Sequence, residues 1–334
     1  MIDFDKLFES VDPVKLRQIG KAMVNGADAK TVRGMFAEAG VELLHCTSNT
    51  APMRCKIPLI LTLHDIIFLE PRDKNNRSLY QNMGWFYRRL VVPRIIGKCR
   101  RIITVSKFEQ DNIVSKLGLP RNQVAMIYNG YNEWFRPMKD PDCVYAKYMA
   151  QKGYLFFLGN TDPKKNTERT LIAYSRYLEH SAVKRKLLMA DLDRQYLDDI
   201  ISRNHIENIR QYIEMPGYIV NTDLPYVYSG AFAFLYTSLR ESFGIPLLEA
   251  MACGTPVVTS NTSSMPEIAG SDAILVNPEN ADEICQQLLR LETDETFYQQ
   301  QAQLGLQRVK SFAWKYTAEQ LLSLYDTVYR ESYK

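Results

Sequence analysis

The sequence lacks several features that would assign a protein to a class at once. No stretch approaches the roughly 18 consecutive apolar residues that a membrane-spanning helix needs. The first ten residues are acidic rather than basic, unlike the start of a secretory signal peptide. None of the six cysteines is spaced as CxxC or stands beside a histidine at zinc-finger spacing. These absences favour a cytoplasmic protein whose cysteines are reduced and lie in its core.

The signatures of several common catalytic and nucleotide-binding sites are also missing. There is no GxGxxG following a strand and no GxxxxGK[ST], which argues against dinucleotide and P-loop sites. There is also no GxSxG and no HExxH. Asp191-Leu192-Asp193 has the form of a metal-binding DxD, but no further cluster of acids supports it. We therefore expect neither a metal nor a cofactor.

The composition is that of an ordinary globular protein with about two domains. Its 334 residues are 46% apolar and 24% charged, which is enough apolar surface for a sizeable core. The charge is uneven. Residues 1–150 hold 23 basic and 15 acidic side chains, a net of +8, whereas residues 151–334 hold 18 and 23, a net of −5. Two halves of opposite net charge indicate two domains with different partners.

Short apolar runs alternate with amphipathic stretches along the chain. The apolar runs predict strands at 41–46, 57–63, 101–105, 123–127, 154–158, 186–190, 231–236, 256–260 and 273–276. Helices are predicted near 79–97, 107–117, 166–180, 193–204, 245–253, 281–293 and 313–331. This alternation is typical of α/β proteins whose parallel sheets are covered by helices on both faces. Pro137, Pro141 and Gly153 mark a break between the two domains.

Open parallel sheets bind their ligands in the loops that follow the carboxyl ends of strands. The densest such loop here is YTSLRESFGIPLLEAMACG at 236–254, where a strand ends at Tyr236. A helix is predicted to begin near Ile245, because Pro246 suits a first helical turn and Gly254 suits a helix end. The N–H groups at such a helix start attract anions, since the positive end of the helix dipole lies there.

Two acids flank this predicted helix start. Glu241 precedes it and Glu249 lies within it. The backbone N–H groups of Phe243, Gly244 and Ile245 would face a phosphate, and Gly244 allows close approach because it has no Cβ. Ionised carboxylates only accept hydrogen bonds, so the two acids would suit the hydroxyls of a sugar. The alternative is that Glu241 and Glu249 are ordinary solvated acids of a loop and a helix surface.

Two further loops carry candidate residues. The loop GNTDPKKNTERT contains Gly159 at a strand exit, then Lys164 and Lys165, with Asn166 as the N-cap of the following helix. Lysines at a helix start oppose the helix dipole, and an anionic ligand would offset that cost. His64 directly follows another strand and could donate a hydrogen bond to a ligand. Solvated lysines and a structural histidine are the alternatives at these places.

Together these loops resemble the retaining glycosyltransferases of family four, which share the GT-B architecture and include sucrose synthases and many bacterial mannosyltransferases. The main match is ESFGIPLLEAMACGTPVVTSNTSSMPEIAG at 241–270, which resembles the family's E-x7-E segment, with Glu241 and Glu249 as the two glutamates. Shorter segments agree with it: GNTDPKKNTERTL at 159–171, LTLHDIIFLEP at 61–71 and IYNGYNEWFRP at 127–137. The resemblance extends from about residue 41 to residue 331.

The resemblance implies an α/β fold of the GT-B class, in which two Rossmann-like parallel-sheet domains face a cleft. Residues 1–150 would form the acceptor-side domain, and residues 151–312 would form the domain that binds a nucleotide sugar. The segment 313–334 would be a C-terminal helix that packs back toward the first domain. The expected location is cytoplasmic, because the sequence shows neither an export signal nor a membrane span, and a basic segment considered below would place the protein peripherally at the inner face of the membrane.

The resemblance also implies roles for individual residues. Glu249 would hold ribose hydroxyls, and Lys165 would neutralise the diphosphate as the glycosidic bond breaks. Glu241 would contact the transferred sugar, which His64 would approach from the other domain. Transfer would retain the anomeric configuration by front-face attack, with the leaving phosphate taking the acceptor proton and without a metal. The implied catalytic residues are His64, Glu241 and Lys165. The implied donor-binding residues are Gly159, Asn160, Lys164, Lys165, Arg240, Glu241, Ser242, Phe243, Gly244, Ile245 and Glu249.

Two features depart from the family pattern. Many members have an arginine directly after the glycine of the first donor-domain loop, where this chain has Asn160. Either Lys164 compensates for that arginine or Lys165 holds the diphosphate alone. Members also open with a strand and a Gly-rich loop, and the start of this chain shows neither. We therefore expect a truncated first domain.

Segment 72–107 is strongly basic, with ten lysines and arginines and Asp73 as its single acid. Cations beside aromatic side chains suit an anionic membrane surface, where each cation contributes about 1 kcal/mol. The residues concerned are Tyr80, Trp85, Phe86, Tyr87, Arg88, Arg89, Arg94, Lys98, Arg100 and Arg101. The alternative is a solvated helix whose aromatic residues face the core. Nucleic acid is not expected as a partner, because no recognition motif accompanies the charge.

The function that the resemblance implies is hexosyl transfer. The enzyme would move a hexose such as mannose from a nucleotide-diphosphate sugar to a glycan or lipid-linked acceptor during synthesis of a surface polysaccharide. The alternative is a non-catalytic nucleotide-sugar-binding protein or an inactive fragment of such an enzyme. A phosphorylase or epimerase of the same architecture has less support, because no cofactor-binding lysine signal is present.

Overall fold

The computed structural model describes residues 40–70, 79–139, 144–190 and 192–333. Within them the chain forms two compact units, each with its own parallel sheet. The first unit contains the described residues up to Val105 together with Glu109–Ile127 and Glu319–Lys334, and the second contains Ser106–Phe108 and Tyr128–Ala318. The expectation of a missing first strand and loop concerns residues 1–39, which lie outside this description.

The described part of the first unit holds one sheet of four parallel strands. In sheet order these strands are β1 (Leu44–Cys46), β2 (Leu59–Thr62), β3 (Arg101–Thr104) and β4 (Val124–Met126). Helices α1 (Leu79–Ile96) and α2 (Lys107–Leu117) lie in the crossovers between β2 and β3 and between β3 and β4. All of β2 is buried, as expected for a strand covered on both faces.

Different apolar clusters cover the two faces of this sheet. On one face Leu61 shares a buried cluster with Ile95 of α1. On the other face Ile60 shares a buried cluster with Val328 of the C-terminal helix, Trp314–Tyr333. Successive residues of a strand point to opposite faces, which is why the neighbours Ile60 and Leu61 join different clusters. The last turns of the chain therefore complete the core of the first unit.

The sheet of the second unit has six parallel strands among the described residues, in the order β10-β9-β8-β5-β6-β7. Their bounds are β5 (Tyr154–Phe157), β6 (Leu187–Met189), β7 (Ile213–Glu214), β8 (Ala231–Tyr236), β9 (Val257–Ser260) and β10 (Ile274–Val276). A large apolar cluster fills one side of this sheet and includes Leu155, Leu187, Leu235 and Val258 from four neighbouring strands.

Helices connect the strands of the second unit and close the chain. They are α3 (Thr167–His180), α4 (Arg194–Asn204), α5 (Leu224–Gly230), α6 (Ile245–Ala252), α7 (Met265–Ala269), α8 (Ala281–Thr293), α9 (Glu295–Arg308) and α10 (Trp314–Tyr333). Single 3₁₀ turns lie at Ile67–Leu69, Arg121–Gln123, Val144–Lys147, Pro163–Lys165, Glu207–Tyr212 and Val309–Phe312. Of the helices described here, none is both long and apolar enough to cross a membrane.

Four elements of the second unit were missed by the sequence prediction. The strand β7 is two residues long, and the helices α5 and α7 span seven and five residues. Such lengths are too short for a periodic pattern to emerge. The helix α9 is longer but consists largely of glutamine and other polar residues, and its one buried residue is Gly305.

The boundary between the units differs from the break expected at 137–153. The structure assigns the described residues of Tyr128–Ala318 to the second unit. Side chains of this segment bind that unit directly: the Tyr148 hydroxyl donates to Asp223 at 2.8 Å, and Lys147 Nζ donates to the same carboxylate at 3.0 Å. Pro137 and Gly153 therefore lie inside the second unit rather than between the two units, and Pro141 lies outside the described residues.

A histidine is held between two hydroxyl groups in the first unit. His45 of β1 forms hydrogen bonds through both ring nitrogens, from Nδ1 to the Tyr325 hydroxyl at 2.6 Å and from Nε2 to Thr62 Oγ1 at 2.7 Å. Burial lowers the pKa of His45 from 6.5 to about 4, because the charged imidazolium loses hydration there. The ring is therefore neutral at pH 7.

We predict that His45 makes the first unit acid-sensitive. Between pH 6.5 and pH 4 the unfolded chain binds more protons at His45 than the folded chain does, so stability falls as the pH is lowered. The loss by pH 4 is at most roughly 3 kcal/mol. His45→Gln should flatten this part of the pH dependence of the unfolding free energy, measured by urea denaturation. Tyr325→Phe is the control, since it removes one hydroxyl and should keep the slope; an unchanged slope in His45→Gln would contradict the prediction.

Candidate functional site

The order of strands reverses next to β5 in the second unit. From β5 the chain passes outward through β6 and β7 and then returns to β8, on the other side of β5. All of these strands are parallel, so the loops after β5 and β8 leave the sheet side by side at one edge. We call the carboxyl ends of β5 and β8, with these two loops, the β5/β8 edge. Such reversals are where open parallel sheets bind ligands.

Hydrogen bonds join the two loops of the β5/β8 edge. The N–H of Leu239 donates to Lys164 O at 2.7 Å. The Asn166 side chain donates from Nδ2 to Thr237 O at 3.0 Å and to Pro278 O at 2.7 Å. Asn166 does stand at the N-cap position of α3, but no capping hydrogen bond comes from its side chain. The prediction of Asn166 as the N-cap residue is confirmed, and its buried amide links three loops instead of capping the helix.

Lys165 and Glu241 form an ion pair at this edge. Lys165 Nζ lies 2.6 Å from Glu241 Oε1, and the two side chains are only 20% and 14% exposed. The same ammonium group lies 5.6 Å from the ring centroid of Tyr236. Burial raises the pKa of Tyr236 well above its usual range, and the charge of Glu241 and a hydrogen bond to it add to the shift. The Tyr236 phenol is therefore neutral and able to donate to the Glu241 carboxylate.

The backbone of Glu241 is also fixed. Its N–H donates to Ser263 Oγ at 2.9 Å, and the same hydroxyl lies 3.0 Å from Glu241 O. Ser264 Oγ lies 3.0 Å from Glu241 O and 3.0 Å from Phe243 O. The loop after β9 thus holds the main chain of Glu241 in the loop after β8. The Glu241 carboxylate in turn contacts Lys165 in the loop after β5.

The helix α6 begins at Ile245, directly after the loop that contains Glu241, as predicted. Gly244 has a φ of 112°, which side-chain-bearing residues rarely adopt, and Pro246 lies in the first turn. A Cβ on Gly244 would lie 3.4 Å from the Tyr236 ring. The Phe243 side chain is buried with the rings of Tyr128 and Phe312. This burial anchors the helix start, where the N–H groups and the positive dipole end favour an anion.

Glu249 lies one turn into α6 and faces a buried tyrosine. The Tyr228 hydroxyl, on a side chain with no exposed surface, lies 3.4 Å from Glu249 Oε2. Burial raises the pKa of Glu249 from 4.5 to about 7, although the hydrogen bond from Tyr228 acts to lower it. The interpretation of Glu249 as an ordinary solvated acid is therefore wrong, since a solvated carboxyl keeps its usual pKa.

The remaining predicted residues of the loop after β5 are held by the loop itself. Lys164 Nζ pairs with Asp162 Oδ2 at 3.3 Å, and Asn160 Oδ1 accepts the N–H of Asp162 at 2.8 Å. A Cβ on Gly159 would lie 2.4 Å from the Phe157 ring, so a larger residue cannot fit without moving that ring. Lys165 is the member of this set that the fold brings to Glu241.

Arg240 and Ser242 face the short segment Ser106–Phe108, which also belongs to the second unit. The Arg240 guanidinium lies 4.6 Å from the ring centroid of Phe108, and Ser106 Oγ donates to Ser242 O at 2.8 Å. These contacts give the loop after β8 a second support. Donor-binding roles for Arg240 and Ser242 stay predictions.

His64 lies in the first unit, after β2. Its Nε2 is 3.0 Å from Thr47 O, and its main-chain N–H donates to Asn49 Oδ1 at 2.8 Å. A carbonyl oxygen only accepts, so Nε2 carries a proton in this contact, and Nδ1 is the ring nitrogen left for a ligand. The adjacent Asp65 accepts the N–H of Ile67 at 3.0 Å and so shapes the loop.

Comparison with known proteins identifies the family. A family model described as Glycosyl transferases group 1 matches residues 148–308, and one described as Glycosyltransferase Family 4 matches residues 10–134. The O-antigen chain mannosyltransferase B of Escherichia coli is 30% identical over 272 residues, which cover 80% of this chain and 69% of that protein. The chain belongs to the group 1 glycosyltransferases. The resemblance inferred from the E-x7-E segment is thereby confirmed.

Other relatives and solved structures agree. The serotype-specific mannosyltransferase WbdA of Escherichia coli is 25% identical over 281 residues, but the match covers 78% of this chain and only 32% of WbdA. Sucrose-phosphate synthase from Thermosynechococcus elongatus superposes with a TM-score of 0.72 at 19% identity, over 99% of this chain and 81% of that one. HepE of Anabaena, in complex with UDP-glucose, superposes with a TM-score of 0.66 at 16% identity, over 94% and 82%. The predicted GT-B fold class of this transferase is confirmed.

Several residues at the β5/β8 edge of the transferase were not found from the sequence. They are Tyr236, Tyr228, Asn166 in its linking role, and the serines Ser263 and Ser264. No sequence spacing signals them, because each acts on a residue of a different loop. The one local signal is the polar run Thr262-Ser263-Ser264 after a strand. Such a run is equally typical of ordinary turns, in which serine and threonine hydroxyls bond to the nearby backbone.

One aspartate of the DxD motif lies among the described residues of the transferase. Asp191 lies outside the description, while Asp193 caps α4 by accepting the N–H of Tyr196 at 2.8 Å. No group of three or more potential metal ligands occurs among the described side chains.

We predict that Glu249 destabilises the transferase at neutral and alkaline pH. Its folded-state pKa of about 7 exceeds the ordinary 4.5, so between these values the folded chain binds more protons than the unfolded chain does. The contribution of Glu249 to stability is therefore full below pH 4.5 and is lost as the pH rises through 7, by at most roughly 3 kcal/mol. Glu249→Gln should raise the urea midpoint at pH 8 and leave it nearly unchanged at pH 4.5.

The exposed helical acid Glu295 provides the control for this measurement. Glu295→Gln should shift the midpoint equally little at both pH values. Stability falls with rising pH because of Glu249 and with falling pH because of His45, so the two variants change different parts of the pH dependence of stability. A Glu249→Gln protein that is no more stable than the wild type at pH 8 would contradict the assignment of a raised pKa.

Proposed function

We propose that this transferase moves a hexose, mannose, from a nucleotide-diphosphate sugar to a glycan or lipid-linked acceptor during synthesis of a surface polysaccharide. The observation that carries the proposal is the Lys165–Glu241 pair at the β5/β8 edge, beside the start of α6. A cation and a helix start together suit a diphosphate, and a carboxylate suits sugar hydroxyls. The names of mannosyltransferase B and WbdA support mannose as the hexose.

The donor class rests on the chemistry of the same edge. Lys165 and the N–H groups of Phe243, Gly244 and Ile245 would receive the diphosphate, and Glu249 would accept hydrogen bonds from the ribose. Without a donor, Lys165 and Glu241 neutralise each other at 2.6 Å. A bound diphosphate would give Lys165 a second anionic partner, and Glu241 would then face the transferred sugar. The UDP-glucose complex of HepE supports a nucleotide sugar as the donor class.

The proposed reaction retains the anomeric configuration. The acceptor oxygen bonds to the anomeric carbon on the face from which the diphosphate departs, and the bond from that carbon to the phosphate oxygen breaks. The leaving phosphate takes the proton of the acceptor hydroxyl. Lys165 and the start of α6 stabilise the negative charge that develops on the phosphate. Because these groups supply the positive charge, we propose that the reaction needs no metal.

His64 is proposed as the third catalytic residue. Its Nε2–H is used by Thr47 O, so the ring reaches a substrate through Nδ1, as an acceptor from a sugar hydroxyl. The contact with Thr47 also fixes the plane of the ring. A residue that holds the sugar hydroxyl in place would lower the entropic part of the barrier.

We predict that Glu241→Gln lowers kcat for transfer by about 100-fold or more, because the uncharged amide cannot support the developing charge on the sugar. The assay follows release of nucleoside diphosphate from GDP-mannose with a panel of glycan and lipid-linked acceptors. Glu207→Gln changes an exposed acid on the same unit and should leave kcat unchanged. Full activity in Glu241→Gln would sink the assignment.

Calorimetric titration of the wild type with GDP-, UDP- and ADP-sugars distinguishes the second candidate function. Binding followed by release of nucleoside diphosphate supports the transferase. Binding without release, across the acceptor panel, would make the chain a non-catalytic nucleotide-sugar-binding protein.

We further propose that the basic segment 72–107 contacts an anionic membrane at its cytoplasmic face, where a lipid-linked acceptor would lie. On α1, Phe86 is 60% exposed and Leu90 is 43% exposed, beside the exposed cations Arg88 and Arg89. An exposed aromatic and aliphatic pair beside cations suits the headgroup region of a bilayer. The side chains of Tyr80, Trp85 and Tyr87 lie outside the description.

The membrane proposal predicts that charge reversal at Arg88 and Arg89 releases the protein from vesicles. Each cation contributes about 1 kcal/mol near an anionic surface, so the loss of two positive charges alone should weaken binding by roughly thirtyfold, and their reversal by more. The measurement is cosedimentation with vesicles that contain phosphatidylglycerol, compared with pure phosphatidylcholine. Arg194→Glu on α4, an exposed cation of the second unit, is the control. Equal binding of the double variant and wild type would refute the contact.

A further inference from the structure

Ser263 has an unusual backbone conformation for a residue with a side chain. Its φ is 52°, in the left-handed region that glycine adopts freely. It follows β9 and lies in the loop between this strand and α7. A serine in this conformation is strained, so the surrounding structure must hold it in place.

Neighbouring hydrogen bonds join the loop after β9 to β10 on one side and to the loop after β8 on the other. The N–H of Asn261 donates to Val276 O of β10 at 2.8 Å. Thr262 Oγ1 lies 3.3 Å from Leu239 O, in the loop after β8. These contacts fix the loop ends, and the strained residue between them directs its hydroxyl to Glu241.

The hydroxyl of Ser263 is used in both directions. It accepts the N–H of Glu241 at 2.9 Å and lies 3.0 Å from Glu241 O, to which it can donate. Ser264 provides a second hydroxyl to Glu241 O, but it does not replace the acceptor for the N–H. Ser263 therefore fixes the peptide from which the Glu241 side chain extends.

We propose that Ser263 is a positioning residue for transfer, which acts by holding the main chain of Glu241. This inference rests on the proposed role of Glu241 at the sugar. With its main chain fixed, the Glu241 carboxylate meets Lys165 at 2.6 Å and the Tyr236 phenol. Small displacements of a reacting group reduce the rate steeply, so the strain at Ser263 is retained where it orients this carboxylate.

The test is Ser263→Gly, which removes the hydroxyl and also relieves the backbone strain. If Ser263 matters only for folding, Ser263→Gly should leave both kcat and the urea midpoint unchanged or raise them. If Ser263 positions Glu241, kcat for transfer should fall at least tenfold while the urea midpoint stays equal or rises. The Kd of nucleoside diphosphate, which lacks the sugar that Glu241 contacts, should change less than twofold.

Lys184→Gly is the matched control, because Lys184 has the same φ of 52° and is exposed away from the β5/β8 edge. It should raise the urea midpoint and leave kcat unchanged. In a Glu241→Asp background, where the shorter side chain has already displaced the carboxylate, Ser263→Gly should cost less than threefold further in kcat. A full further tenfold loss would show that Ser263 acts on something other than Glu241.

A crystal structure of Ser263→Gly separates this proposal from the proposed function, since it requires no turnover. Displacement of Glu241 from Lys165 supports the positioning role, and an unchanged 2.6 Å pair overturns it. A wild-type kcat in Ser263→Gly would also overturn it. If the wild type binds sugar nucleotides but turns over none, the proposed function fails while the crystallographic result still decides what Ser263 does.

Discussion

The reversal of strand order at β5 is the constraint on which the candidate site depends. The sheet of the second unit grows outward from β5 in two directions, toward β7 on one side and toward β10 on the other. Since every strand is parallel, the loops after β5 and β8 emerge together. Lys165 on one loop and Glu241 on the other therefore meet at 2.6 Å.

Hydrogen bonds between buried polar groups hold the β5/β8 edge in one arrangement. The buried threonines Thr170 and Thr237 share a hydrogen bond of 2.6 Å between their hydroxyls, and the Asn166 amide binds two carbonyl groups. Buried polar groups with partners specify a geometry, because each alternative arrangement leaves a donor or an acceptor unsatisfied. The partly buried Lys165–Glu241 pair follows the same logic, as each charge needs the other until a ligand arrives.

Most of the fold follows from the sequence, and the bounds of the predicted strands lie within two or three residues of those observed. Fully apolar strands and strong amphipathic helices such as α3 and α8 carry clear local signals. The E-x7-E segment identified the family and led to Lys165, which the fold brings to Glu241. Sequence patterns do not reveal the contacts that connect distant loops. Tyr236 looks like one more apolar strand residue, and Ser263 looks like one more turn residue. Asn166 looks like a cap, and only the packed structure turns its amide toward Thr237 and Pro278.

The spacing of these contacts along the chain has a consequence for how the protein is made. Lys165 and Glu241 are 76 residues apart, and Asn166 is 112 residues from Pro278, to which it donates. Contacts this distant close slowly, because a long loop must be ordered before they form. A chain growing on the ribosome holds Lys165 well before it holds any of these partners. Shorter nascent chains thus carry β5 and its loop without these contacts, and the second unit completes the β5/β8 edge only when synthesis has passed Pro278.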